Sequence, residues 1–380
     1  MKIVADENIP ELEVIFSNPT FRFTRLSGRH INAADVRDAD ALIVRSVTSV
    51  NRALLEGSSV RFVGTCTIGT DHMDTAYLDE AGIQWANAPG CNANSVFEYV
   101  IAALAALGES LQGKKVGIVG CGNVGGHLYQ RLNTLGIQCH CYDPFLSKKD
   151  NPDLGDLDAV LDCDIISVHT PFTHQGPHPT YHLIDEAALK RLRPGTVLLS
   201  CGRGPAVDNA ALKSLLERGV DLRVVLDVWE PEPDIDTDLL TMVDIATPHI
   251  AGYSYDGKLM GGTMIFNALQ KFLDDKATPA KPKLLSEQPL IKAKLGTWEE
   301  TLFDVVLQAY NIRRDDQNLR AAVSHPEGIA HAFDALRKHY IQRYEFRHFE
   351  VDCSAVEAQE NIELKRYLDA LGFRLGASDV

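Results

Sequence analysis

The chain has 380 residues, 45% of them apolar and 23% charged, with a formal net charge of −15. That length exceeds one ordinary hydrophobic core, so two or three globular domains are expected. The acidic balance argues against a nucleic-acid or anionic-membrane partner, and an anionic ligand would need a local basic pocket set against the overall field.

The N-terminal MKIVADEN enters a strand-like run with no signal-peptide pattern, so a cytoplasmic protein is expected. Apolar runs at Lys2–Ala5, Ala41–Val44, Phe62–Gly64 and Ile83–Ala86 alternate with helical patterns, which predicts a small parallel α/β domain. Ser95-Val-Phe-Glu98 reads as a capping box opening an apolar helix through Leu107. Its apolar run is far too short to span a membrane. Strands are then predicted at 115–119, 138–142, 164–168, 196–200 and 223–227, with Pro171, Pro194-Gly195 and Pro231 marking turns. An amphipathic segment at 262–273 follows, and TPAKPKLL (278–285) reads as a linker. Beyond it, helices are expected at Trp298–Ala309, Ile329–His339 and Val356–Leu371, with a strand-like stretch at Tyr344–Cys353.

The most informative stretch is VGIVGCGNVGGHLYQRL (116–132), a strand, glycine turn and helix, with Asp143 closing the next apolar run. This is the pattern of a dinucleotide-binding βαβ unit. Gly120 serves the tight turn, Gly122 the approach of a pyrophosphate, and Gly125 the packing of helix on strand. Asn123 and Val124 open the helix whose N-terminus would receive the phosphates. Asp143, 18 residues past Gly125, suits the adenosine ribose hydroxyls and disfavours a 2′-phosphate, so NAD is expected over NADP.

Three polar residues follow at successive strand ends. Arg203 lies in CGRG after TVLLS, Asp227 ends VVLD with Glu232 five residues on, and His249 lies in PHIAGY. Hydride transfer from a secondary alcohol needs a base for the hydroxyl proton, for which histidine is suited. It also needs a cation for the adjacent carboxylate, for which the arginine fork is suited. Each residue alone has a plainer reading, as a turn, a cap or a solvated loop. Their order behind a nucleotide fold favours chemistry.

The eight cysteines form no CxxC pair and read as reduced, buried thiols. The histidine-rich HTPFTHQGPHPTYH (169–182) lacks a helical i,i+4 pair or a CxxC partner, so it reads as a loop and no metal is expected.

Over roughly residues 1–275 this pattern resembles the D-isomer-specific 2-hydroxyacid dehydrogenases. The resemblance implies two doubly wound parallel-sheet domains with a cleft between them, a substrate domain (1–95 and 252–280) and an NAD-binding Rossmann domain (96–251). It implies Arg203, Glu232 and His249 as the catalytic set, with Asp227 at the nicotinamide and Thr170, in His169-Thr170-Pro171, near the cofactor. Cys201-Gly202 before Arg203 departs from the small or polar residues of many members, and with Gly252 it is placed at the cofactor.

Within the family, VRSVTSVN (44–51), FVGTCTIGTDHMD (62–74), APGCNANSVFEYV (88–100) and PHIAGYSYDGK (248–258) are similar to one subgroup, as is the tail. That closer likeness implies 4-phospho-D-erythronate as substrate, on a route to pyridoxal phosphate, read by Ser46, Thr67 and Tyr253; Arg45 beside them reads either as an extra phosphate contact or as a solvated turn arginine. It also implies a C-terminal α+β dimerisation domain at 286–380 and a homodimer. A 3-phosphoglycerate-specific member, or an NADH-sensing corepressor on the same fold, remains the alternative.

Overall fold

The computed structural model describes residues 1–274, 278–280, 282 and 289–376, so half of the expected linker at 278–285 lies outside the described residues. The chain forms two compact units, Met1–Asn92 with Tyr255–Ser286, and Ala93–Ser254 with Glu287–Val380.

The first unit is built on five parallel strands, β1 (Lys2–Asp6), β2 (Arg22–Leu26), β3 (Ala41–Val44), β4 (Phe62–Thr65) and β5 (Gln84–Ala86), in the order β2-β1-β3-β4-β5. β3 (ALIV) and β4 (FVGT) are buried at every position, as the continuous apolar runs of a sheet covered on both faces must be. β2 escapes sequence patterning because RFTRL is mostly polar, which an edge strand paired only to β1 tolerates. The helix Tyr255–Phe272 packs Ile265, Phe266 and Leu269 into the core of this unit with Phe16 and Phe62. It starts seven residues before the apolar pattern suggests (255 against 262). Gly261 lets it lie close to the end of β4, where a Cβ would meet the Cys66 carbonyl oxygen at 2.5 Å.

The second unit carries six parallel strands, β6 (Lys115–Val119), β7 (Gln138–Tyr142), β8 (Ile165–Val168), β9 (Thr196–Ser200), β10 (Leu222–Leu226) and β11 (Ile245–Ala246). Their order is β11-β10-β9-β8-β6-β7, so the winding reverses between β6 and β8. In such sheets ligands bind beyond the carboxyl ends of the strands at that reversal.

The C-terminal part belongs to the same compact unit. Its helices Trp298–Ala309, Ile312–Ala321, Gly328–Lys338 and Ala358–Leu371 accompany a small parallel sheet of β12 (Leu290–Lys292), β13 (Glu350–Asp352) and β14 (Arg374–Leu375). Leu302, Val306 and Leu371 share one apolar cluster with Ile101 and Leu104 of the helix Ala93–Leu107. The strand-like alternation of 344–353 resolves differently, with a 3-10 turn at Phe346–His348 leading into three residues of β13.

The expected capping box at Ser95–Glu98 does not form, because the helix starts earlier, at Ala93. Both side chains serve tertiary contacts instead. Ser95 Oγ donates to the Ala251 carbonyl (2.8 Å) and accepts from Ser254 N–H (3.0 Å), while Glu98 accepts from Phe346 N–H (2.9 Å). Burial, and then the neighbouring Glu345, push the Glu98 pKa well up.

Arg343 completes this knot. It is buried, donates to the Ala251 carbonyl (2.7 Å) and to Ser95 Oγ, and lies 4.1 Å over the Tyr310 ring. Its partner in sequence, Glu345, accepts from Ser254 Oγ at 3.0 Å. Removing a buried charge from such a set strands its partners. Arg343→Met is therefore expected to cost about 3 kcal/mol, read as a melting temperature lower by roughly 5–10 °C in scanning calorimetry.

Candidate active site

The glycine turn after β6 is ordered by contacts too close for any other residue. Gly120 has φ +84°, and a Cβ on Gly125 would lie 1.9 Å from the Gly120 carbonyl oxygen. Gly122, by contrast, would meet nothing within 4 Å. Space is therefore left open in front of it. It is also the N-cap of the helix Asn123–Thr134 and supplies no side-chain cap. Unpaired N–H groups at an open helix N-terminus are what a pyrophosphate requires, so the residues present fit NAD.

Asp143 lies just past β7. Its carboxylate accepts from Cys121 N–H (2.9 Å) and Phe145 N–H (3.0 Å), which ties the glycine turn to the β7 end and leaves lone pairs for ribose hydroxyls. Thr170, after β8, is buried with no partner for its hydroxyl, and its Cγ2 and backbone lie close beside Gly120. The turn after β9 packs against it, since a Cβ on Gly202 would meet the Thr170 carbonyl oxygen at 2.7 Å. Cys201 there is buried, which raises its thiol pKa far above the usual value. Arg203 follows in extended conformation and donates to the Gly202 carbonyl at 3.0 Å. Gly204 brings the Arg203 turn against the Trp229 backbone, where a Cβ would lie 1.7 Å from the carbonyl oxygen.

His249 carries the clearest geometry. Its Nδ1–H donates to Glu232 Oε2 at 2.8 Å, and Glu232 Oε1 accepts from Trp229 N–H at 2.9 Å. Nδ1 is thus committed, and Nε2 is the nitrogen left for a reacting proton. The histidine has φ +55°, a left-handed conformation that costs a non-glycine residue about 1–3 kcal/mol. Asp227 holds it there. Buried to 1% exposure, its carboxylate accepts from Ile250 N–H (2.7 Å), Ala251 N–H (3.0 Å) and Thr247 Oγ1 (2.7 Å). Its carbonyl accepts from His249 N–H at 2.7 Å. Gly252 and the half-buried Tyr253 follow, the tyrosine ring set edge-on to Tyr340 at 5.9 Å between centroids.

Ser46, Thr67 and Arg45 lie in the other unit, beyond the carboxyl ends of β3 and β4. Ser46 is exposed. Thr67 Oγ1 donates to the Gly69 carbonyl (3.1 Å) and meets Thr65 Oγ1 at 2.8 Å, next to His72 Nε2 at 3.0 Å from Thr65 Oγ1. Arg45 Nε lies 3.5 Å from the buried Asp6 carboxylate at the end of β1.

The histidines of the 169–182 loop serve local structure. His169 is hydrogen-bonded to Ser167 (2.8 Å), and His182 sits between Glu230 (2.8 Å) and Asp208 (3.4 Å). Among the described residues there is no group of three or more His, Cys, Asp and Glu placed to hold a metal ion. No helix among them is long and apolar enough to cross a membrane.

Burial works to raise the Glu232 pKa, and the His249 charge, the bond to it and the Trp229 N–H outweigh burial, so it lies below the usual glutamate value of 4.5. A lowered carboxyl stabilises the fold fully above that usual value, and the stability is lost as pH falls through the lowered one. The difference in melting temperature between wild type and Glu232→Gln should narrow as pH falls below about 4.5, the usual glutamate value. A difference that stays constant below about pH 5 would disprove the lowered Glu232 carboxyl.

Known proteins resemble this chain over its full length. Residues 94–251 match the family model described as D-isomer specific 2-hydroxyacid dehydrogenase, NAD binding domain. Residues 285–372 match a domain of unknown function. The chain is 50% identical to an erythronate-4-phosphate dehydrogenase of Cellvibrio japonicus, over 98% of this chain and 100% of the relative. It is 47% identical to that of Teredinibacter turnerae, over 100% of both. Among solved structures, NAD+-bound 3-phosphoglycerate dehydrogenase of Entamoeba histolytica superposes with a TM-score of 0.63 at 22% identity, covering 75% of this chain and 99% of that one. D-lactate dehydrogenase of Aquifex aeolicus, complexed with NAD and lactic acid, gives 0.60 at 20%, covering 72% and 96%. The chain thus belongs to the erythronate-4-phosphate dehydrogenase family of NAD-dependent D-isomer-specific 2-hydroxyacid dehydrogenases.

Proposed function

We propose that this protein oxidises 4-phospho-D-erythronate at C2 to 3-hydroxy-2-oxo-4-phosphobutanoate, a step towards pyridoxal 5′-phosphate. The observation that carries the reading is the His249 Nδ1–Glu232 Oε2 bond of 2.8 Å, which leaves Nε2 as the base. NAD, when bound, accepts the hydride from C2. His249 Nε2 takes the hydroxyl proton, and Glu232 stabilises the imidazolium that results. Arg203 binds the C1 carboxylate and polarises the forming carbonyl. Gly120, Gly122, Asn123, Val124 and Gly125 take the pyrophosphate and Asp143 the ribose. Thr170, Cys201, Gly202, Asp227 and Gly252 line the nicotinamide end. Ser46, Thr67 and Tyr253 read the rest of the substrate, with Arg45 beside them.

A homodimer through residues 286–380 and a cytoplasmic location belong to the same reading. Exposed Leu290, Leu295 and Ile362 support the dimer, being 54%, 74% and 72% exposed in the single chain. Light scattering of the purified protein tests it.

Initial rates of NADH formation with 4-phospho-D-erythronate and 3-phospho-D-glycerate test the substrate, with a 2-oxo acid acceptor in a separate reaction as the control for retained NADH. A strong preference for the four-carbon acid is expected, and preference for phosphoglycerate would overturn the assignment. His249→Ala should lower turnover about 10²- to 10⁴-fold, and near-normal turnover would remove its role as base. Asp143→Ser should weaken NAD binding and narrow the NAD over NADP preference. An unchanged ratio would mean that another group reads the ribose.

A further inference from the structure

The C-terminal region reaches the catalytic loop. The helix Gly328–Lys338 carries Arg337 in its last turn, with its guanidinium carbon 5.8 Å from the centre of the Tyr253 ring. Tyr253 stands four residues after His249. A second tail residue, Tyr340, meets that ring edge-on at 5.9 Å between centroids and donates to Asp315 at 2.7 Å.

An arginine in the last turn of a helix commonly satisfies the helix carbonyls or pairs along the surface. Arg337 does neither well. Its side chain is 18% exposed, its ion-pair partner Asp334 is 4.0 Å away, and its Nε–H is buried with no hydrogen-bond partner. A buried donor on a full charge is costly to leave unmade. Burial disfavours the cation, but the Tyr253 hydroxyl and the Glu232 carboxylate beside it outweigh that and hold it charged. Arg45, the cation expected at the phosphate end from sequence, already faces the buried Asp6 carboxylate. Arg203 is taken by the substrate carboxylate in the proposed reaction. A dianionic phosphate on a chain of net charge −15 needs a further cation.

We infer that Arg337, with the Tyr253 hydroxyl beside it, forms a phosphate subsite for the substrate, so that the C-terminal region selects a phosphorylated hydroxy acid. The inference rests on the proposed oxidation of a phosphorylated substrate. It adds a residue that touches the substrate from outside the nucleotide-binding segment.

Arg337→Met and Arg337→Lys test it on two substrates, 4-phospho-D-erythronate and D-erythronate, with inorganic phosphate as a competitive inhibitor. The methionine keeps the apolar stem and removes the charge, and the lysine keeps the charge without the planar fork. For Arg337→Met, kcat/KM on the phosphorylated acid should fall about 10- to 100-fold, chiefly through KM. The inorganic phosphate Ki should rise in parallel, and kcat/KM on D-erythronate should stay within about twofold. Arg337→Lys should lose less, on the phosphorylated acid only. If Arg337→Met melts well below wild type, Arg337→Lys alone decides. Equal losses on both substrates, or an unchanged phosphate Ki, would reduce Arg337 to a structural role and overturn the subsite while the oxidation stands. A wild-type enzyme without preference for the phosphorylated acid would overturn both.

Discussion

Everything at the candidate centre depends on the Asp227 carboxylate. It lies at the end of β10, inside the protein, and three donors from the Thr247–Ala251 segment converge on it. Burial alone would push such a carboxyl towards its neutral form, and it raises the Asp227 pKa here. The converging donors and the nearby His249 work against that rise. Hydrogen bonds to a buried charged group are worth about 1.5–3 kcal/mol each, enough to offset the strain of a left-handed His249. The turn is thereby fixed before any ligand arrives, and with it the direction in which the imidazole faces.

A second layer of constraint surrounds that turn. Ala251 and Ser254 are held by Ser95 from one side and by Arg343 and Glu345 from the other. The Ala251–Ser254 stretch is therefore bound by a helix start some 150 residues before it and by a segment some 90 residues after it (|i−j| of 156 and 92 to Ala251). Each partner is a polar group in the interior, so an unmatched member would cost more than the pair contributes. This makes the arrangement specific as well as stable.

Much of the fold was legible because its signals are local. The apolar runs of β3, β6 and β9 coincide with the strands, and the glycine turn, Asp143 and the order Arg203, Glu232, His249 stand where strand ends place them. What escaped was set by tertiary context. RFTRL pairs as an edge strand despite its charges, and IRRDDQNLRA folds as the helix Ile312–Ala321, although only Ile312, Asp315 and Leu319 of it are buried. Ser95 and Glu98 have the spacing of a capping box, but their side chains find stronger partners far along the chain. Arg337 and Arg343 carried no readable signal. In sequence they are two basic residues in a polar tail, and only folding brings them beside Tyr253 and Ala251. Contact across some 90 residues leaves no periodicity to detect.

The placement of Arg343 ties the centre of the molecule to the order in which it is made. A growing chain has all of β6 to β11 and the His249 turn complete well before residue 343 emerges. Until then the Ala251 carbonyl lacks a donor that the finished interior supplies. A copy cut short before residue 343 would thus lack that donor at the candidate reactive loop, although every residue of that loop is present. Completeness of synthesis is registered at the proposed reaction centre.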